Sequence, residues 1–198
     1  MALPSFLISS LNGILAVFGD KYVLVLGAYY KLQTFIYLSA NGIIQGVRPL
    51  VSFNYGARER ERVKRIFKTT VILISSVMAL GVLLSLVIPK QLMGIFTSSP
   101  ETVNIGAAAL RIICIGFIFS AVSVTCCGVL EALGKGVQSL IISFMRYTAV
   151  IIPLAFLFGR IIGANGVFVA FPVTEIVTAA VSALVYRRNF KKCFSQNQ

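Results

Sequence analysis

Long apolar runs recur along this chain, and they constrain its fold more than any other feature. Six stretches, at about 3–18, 23–47, 67–88, 103–130, 137–158 and 167–186, are dominated by Leu, Ile, Val, Phe and Ala. A helix needs about 20 apolar residues to cross a bilayer core of ~30 Å. A single soluble core of 198 residues has no use for several such runs. Charged residues make up 12% of the chain, about half the fraction usual in soluble domains. The expected fold class is therefore all-α, a polytopic membrane helical bundle of six transmembrane helices forming a single transmembrane domain over residues 1–198. The first run is short for a bilayer core, so it is either tilted or incomplete at its start.

The net charge of +12 invites a nucleic-acid reading, but its distribution points elsewhere. Eleven of the eighteen Lys and Arg residues lie in the segment Arg58, Arg60, Arg62, Lys64, Arg65, Lys68, at Lys135, or in the tail Arg187, Arg188, Lys191, Lys192. These are alternate connections, as the positive-inside rule requires of cytoplasmic loops. The other connections hold only Lys21, Lys90 and Arg160. Basic charge here orients the chain in the bilayer, and no nucleic-acid partner is expected. Six spans with this charge pattern place both termini on the cytoplasmic side of the plasma (inner) membrane as a multi-pass protein.

Several boundaries are legible. Pro49 is expected to end or kink the second span, because it has no amide donor. Asn54-Tyr55-Gly56-Ala57 reads as a turn-like breaker. Glu59 has a partner at helical spacing in Arg62 and, less favourably, Lys64 nearby, which suggests a short amphipathic surface helix. Thr97, Ser98 and Ser99 are candidate caps for the fourth span. Pro153 and Pro172 fall inside the last two spans, marking either bends or ordinary packing.

Enzyme chemistry finds no support: there is no nucleophile–base set, no phosphate loop and no metal cluster. Adjacent Cys126 and Cys127 lack zinc-site spacing, histidine is absent, and Cys114, Cys126 and Cys127 lie in apolar runs as small buried thiols, whereas Cys193 in the basic tail is expected to be reachable from the cytoplasm. No cofactor and no metal are expected. The start Met1-Ala2-Leu3-Pro4 carries no positive n-region, so a cleaved signal peptide is not expected.

The order of features resembles one family. Gln45-Gly46-Val47-Arg48-Pro49, then Asn54-Tyr55-Gly56-Ala57 and a basic run, resembles the eighth-helix segment of MATE (multidrug and toxic compound extrusion) transporters. Leu3-Pro4-Ser5 resembles the start of the seventh helix, and Glu131-Ala132-Leu133-Gly134-Lys135 the end of the tenth. Arg146 with Pro153, and Pro172 with Glu175, resemble the last two helices.

The resemblance implies the C-terminal six-helix lobe of a twelve-helix exporter. Such a transporter moves organic cations or other amphiphilic drugs and metabolites in antiport with a proton or sodium. The lobe requires an N-terminal lobe or a second half-size chain. The alternatives are a lipid-linked oligosaccharide flippase of the same superfamily and a non-transporting membrane interaction subunit. One departure stands out. The family's sodium-coupled members carry acidic residues on the seventh and tenth helices, whereas the first span here offers Ser9, Ser10 and Asn12 at depth. The fourth span has no carboxylate before Glu131. The coupling carboxylate is then expected in the other half.

Charged residues at depth cost ~2.5–3.5 kcal/mol each on insertion scales, so they need partners or water. Arg48 is expected to snorkel to the interface, and Lys31 and Arg111 are candidates to do the same. Arg146 and Glu175 are different: at 1.5 Å per residue they lie ~14 Å and ~16 Å from the cytoplasmic ends of consecutive antiparallel spans. They form an intramembrane charge pair, either a fixed bridge or a titrating, substrate-facing pair. Gln33, Asn41 and Gln45 share roughly one face of the second span. With Tyr37 and Glu175 they are the substrate-pathway candidates, and the aromatic ring suits cationic amphiphiles. Tyr29 and Tyr30 read more ordinarily as interface anchors. The implied partners are the lipid bilayer, a small-molecule substrate and the coupling ion.

Overall fold

The computed structural model describes residues 2–195, and among them all regular structure is helical. The helices are α1 (Ala2–Ala16), α2 (Asp20–Gly56), α3 (Arg60–Val87), α4 (Pro89–Gly94), α5 (Pro100–Ile113), α6 (Ile115–Ala132), α7 (Gly136–Phe144), α8 (Ile151–Ile162) and α9 (Ala164–Ser195), with a π-helical turn at Met145–Ala149 joining α7 to α8. They form six columns: α1, α2, α3, α5 with α6, α7 through α8, and α9. Arg60–Val87, Ile115–Ala132, Gly136–Ile162 and Ala164–Phe194 are long and apolar enough to cross a membrane by themselves. The 15 residues of α1 span only about 22 Å at the helical rise.

Column α6 packs against α9, α3 and α2, and α8 packs against α9. The main core cluster runs through Leu11, Leu15, Leu26, Ile74, Met78, Ile113 and Phe168. A smaller cluster of Val51, Val63, Val129, Leu133, Tyr186 and Phe190 ties the ends of α2, α3, α6 and α9 together. The basic segments 58–68 and 187–192 and Lys135 therefore gather at one end of the bundle. At the opposite end, Lys21 and Glu101 form an exposed ion pair between the starts of α2 and α5.

Several boundaries differ from the sequence reading. Helix α2 does not stop at Pro49 but continues to Gly56, because its last turns bury Val51 completely in the smaller cluster. The reversal falls after Asn54-Tyr55-Gly56, at Arg58, which takes φ of 60°. The basic run is the first part of α3, not a separate surface helix. Glu59 lies 3.8 Å from Arg62, but Lys64 pairs with Glu61 at 2.6 Å. That hydrogen bond holds the Glu61 carboxyl below its ordinary range. Ser99 occupies the cap position of α5 without a side-chain cap bond. The fourth span is interrupted at Cys114.

Candidate functional site

Arg146 sits inside the π-helical turn. One extra residue per turn widens the helix there and re-aims the side chains, a distortion that often marks functional positions. The guanidinium reaches across to α9, where Nη2 and Nε donate to Oε1 of Glu175 at 2.6 and 2.9 Å. Nη2 also donates to the Tyr37 hydroxyl on α2 at 2.6 Å. The same guanidinium lies over the Tyr37 and Tyr147 rings, 5.2 and 5.5 Å from their centroids. Three columns thus converge on one cation. The side chains of Arg146 and Glu175 are only 10% and 13% exposed. Ionised groups this deep persist only when paired and hydrogen-bonded.

The pairing is incomplete in one respect. Both donors converge on Oε1, while Oε2 of Glu175 is buried without a hydrogen-bond partner. A cavity of about 20 Å3 lies against this carboxylate, bordered by Gln33, Tyr30, Tyr147 and Thr174. That volume suits a water molecule or a small cation rather than a drug-sized ligand. On the other side of Arg146 a second cavity, of about 150 Å3, is lined by Asn41, Ser123, Ser143 and Tyr147 and ends at Arg48 and Glu131. Arg146 and Tyr147 line both cavities. A polar track therefore leads from Glu175 in the bundle toward its basic end.

Glycine makes room for this arrangement. A Cβ on Gly116 of α6 would lie 3.1 Å from Cγ of Glu175 and 3.2 Å from the backbone of Pro172. The close approach of α6 to α9 places the Glu175 stem against a helix backbone, which restricts its rotamers.

The other candidates divide. Gln33 reaches the small cavity and Asn41 the larger one. Gln45 is exposed and accepts a 3.4 Å hydrogen bond from Arg48 rather than joining the cluster. Asn54 donates to the Leu50 carbonyl at 2.8 Å and so closes the end of α2. Tyr55 packs edge-on against Phe194, with ring centroids 5.5 Å apart. Gly56 is exposed, with open space where a Cβ would lie. The Asn54, Tyr55, Gly56 motif thus shapes a helix end and its contact with α9.

Tyr29 is no interface anchor. It is fully buried, packed between Phe117 and Phe171 at centroid distances of 6.5 and 5.2 Å. Tyr30 is half-buried and tilts against it at 5.3 Å. Arg48 does not simply reach for the interface either. It forms an ion pair with Glu131, whose other oxygen accepts from Ser139 at 2.7 Å. That pair closes the track, and sequence reasoning missed it although both residues lie toward the same end of their helices. Tyr147, beside Arg146, was missed as well; its neighbour's charge was the available signal.

Comparison with known proteins agrees with this architecture. The MatE family model matches residues 1–157. Multidrug export protein MepA of Staphylococcus saprophyticus is 25% identical over 190 residues, covering 92% of this chain and 42% of that protein. MepA of Staphylococcus aureus is 24% identical over 193 residues, covering 93% and 42%. The chain thus spans less than half the length of these curated relatives. The Vibrio cholerae MATE transporter VcmN in its bent form superimposes with a TM-score of 0.92 at 22% identity, over 100% of this chain and 45% of that one. An outward-facing multidrug resistance MATE transporter of the MOP superfamily gives 0.92 at 18% identity, over 97% and 44%. With a family model over most of its length and a helical bundle of matching fold, the chain is an integral membrane protein of the MatE family.

Proposed function

We propose that this chain is the C-terminal lobe of a two-lobe MATE exporter, moving organic cations or other amphiphiles in antiport with a proton or sodium. It works with an N-terminal lobe or a second half-size chain, in the plasma membrane, with the basic end of the bundle and both termini in the cytoplasm. The observation that carries the reading is the unpartnered Oε2 of Glu175. A carboxylate paired with Arg146 through Oε1, with Oε2 left unpartnered, offers an acceptor to a positive charge that leaves solvent for the bundle. Gln33, Tyr37 and Asn41 supply hydrogen bonds and an aromatic face along the approach, and exposed Gln45 lies nearer the basic end. The two cavities are narrower than a drug-sized amphiphile, so the bulk of such a substrate lies between the lobes and only its charge reaches Glu175. The MepA relatives are named for multidrug export, which favours this reading over a flippase.

The test is efflux of a fluorescent organic cation. Cells making this chain alone are expected to show none, and cells making it together with the first six helices of a MepA relative are expected to show gradient-driven efflux. Glu175→Gln in the assembled protein is expected to abolish efflux of the cation. Uptake by vesicles holding the purified chain alone would overturn the two-lobe reading. Undiminished efflux by Glu175→Gln would reduce the Arg146–Glu175 bridge to a purely structural role.

A further inference from the structure

A second feature lies outside the polar track, where α3 and α9 emerge at the basic end. There a groove of about 760 Å3 opens between the two helices. Its rim carries Arg60 and Lys64 from α3 and Arg187, Arg188 and Lys191 from α9. Its floor is apolar: Phe67 stacks on Tyr186 at 4.1 Å with an interplanar angle of 8°, and Leu184 and Phe190 flank them. Arg60 lies over the Phe190 ring, 6.0 Å from its centroid. Among the described residues, only Lys64 of the five rim cations has a carboxylate partner, exposed Glu61. Arg60, Arg187, Arg188 and Lys191 form no ion pair there.

Five like charges around one groove repel each other, an arrangement that an anion relieves. The apolar floor argues against a free phosphate, which would gain nothing from two stacked aromatic rings and a leucine. Leu184, 66% exposed, lies one turn inward from Arg187 and Arg188. A molecule with its anion at the rim and its hydrocarbon directed inward matches both parts.

We propose that this groove binds an anionic phospholipid of the adjacent leaflet, its phosphate among the rim cations and its acyl chains along Phe67, Tyr186 and Leu184. Guanidinium groups bind phosphate oxygens through paired donors, and basic pockets between helices at the cytoplasmic face hold such headgroups. The proposal rests on the chain lying in a bilayer as described above. It is independent of what the transporter carries.

The chain has no tryptophan, so one introduced residue is a unique fluorescent reporter. The full chain carrying Leu184→Trp would be reconstituted in phosphatidylcholine vesicles containing brominated phosphatidylglycerol or, separately, the same fraction of brominated phosphatidylcholine. Each basic residue near a surface contributes about a fivefold preference for anionic lipid, so the relative quenching constant is expected to favour the glycerol lipid by at least about fivefold. The preference is expected to fall toward unity when Arg60, Lys64, Arg187 and Arg188 are all changed to Gln, and to weaken in about 1 M salt, where the Debye length shrinks to ~3 Å. Ile72→Trp, on an exposed part of α3 in the same leaflet, is the control and should be quenched alike by both lipids.

Equal quenching at Leu184→Trp, with Ile72→Trp quenched normally, would overturn the lipid site alone and leave the groove to an acidic protein segment. A preference that survives the fourfold Gln change would overturn the role of the rim. No quenching of either reporter by either lipid would overturn the lipid site together with the bilayer placement.

Discussion

Glu175 and Arg146 lie near the middle of the bundle, and their bond converts two expensive groups into one tolerable one. Removing either partner strands a charge in a poorly solvated site, at a cost of about 3–5 kcal/mol. Glu175→Gln and Arg146→Gln are each expected to lower the melting temperature of the detergent-purified protein. The double change should recover part of the loss, because no charge is then left unmatched. Additive destabilisation in the double variant would show that the two side chains are not coupled. Tyr37→Phe separates the hydroxyl from the ring: it deletes the 2.6 Å hydrogen bond to Arg146 and keeps the aromatic face beneath the guanidinium. Its expected cost is about 1.5–3 kcal/mol, as for a hydrogen bond to a charged group, smaller than for loss of either charge.

Helix contacts at the opposite end depend on a tight turn between α8 and α9. Gly163 takes φ of 77°, a left-handed conformation that L side chains rarely adopt. Three residues on, a Cβ at Gly166 would sit 2.0 Å from the backbone carbonyl oxygen of Phe158. That atom cannot swing away as a side chain would, so the helices must part. Gly166→Ala is expected to destabilise the protein by at least about 1–3 kcal/mol, the usual cost of overpacking, read as a lower melting temperature and yield. Gly27→Ala is the matched control, since nothing lies within 4 Å of its Cβ position. It should be neutral or stabilising by up to about 1 kcal/mol. Equal loss in the two variants would show that α8 and α9 do not approach this closely.

Orientation of the whole molecule is testable through accessible cysteines. Cys193 lies in the basic tail where labelling from the cytoplasm is expected, yet it is buried, as are Cys114 and Cys126. Substitution at exposed positions is therefore required. Asn165→Cys should react with an impermeant maleimide in intact cells, whereas Arg60→Cys should react only after the membrane is opened. The reverse pattern would invert the orientation. Reaction of both in intact cells would show that the three columns between them do not make an odd number of crossings.

Apolar length, helical rise and the clustering of Lys and Arg are properties of the chain taken one residue after another. They determined the all-helical class, the six columns and the common level of Arg146 and Glu175. The direction in which each side chain leaves its helix was not legible in the same way. In a bilayer, lipid-facing and helix-facing positions are both apolar, so Leu24, 43% exposed, and Leu26, fully buried, look alike in sequence. Only the packed bundle decided that Tyr29 is core rather than anchor and that α2 runs past Pro49 to bury Val51. The same packing selected Tyr37 as the third partner of Arg146 and paired Arg48 with Glu131. Those outcomes depend on helices that meet through residues far apart in the chain. The sequence determined depth along each helix; rotation about it was decided by the neighbours.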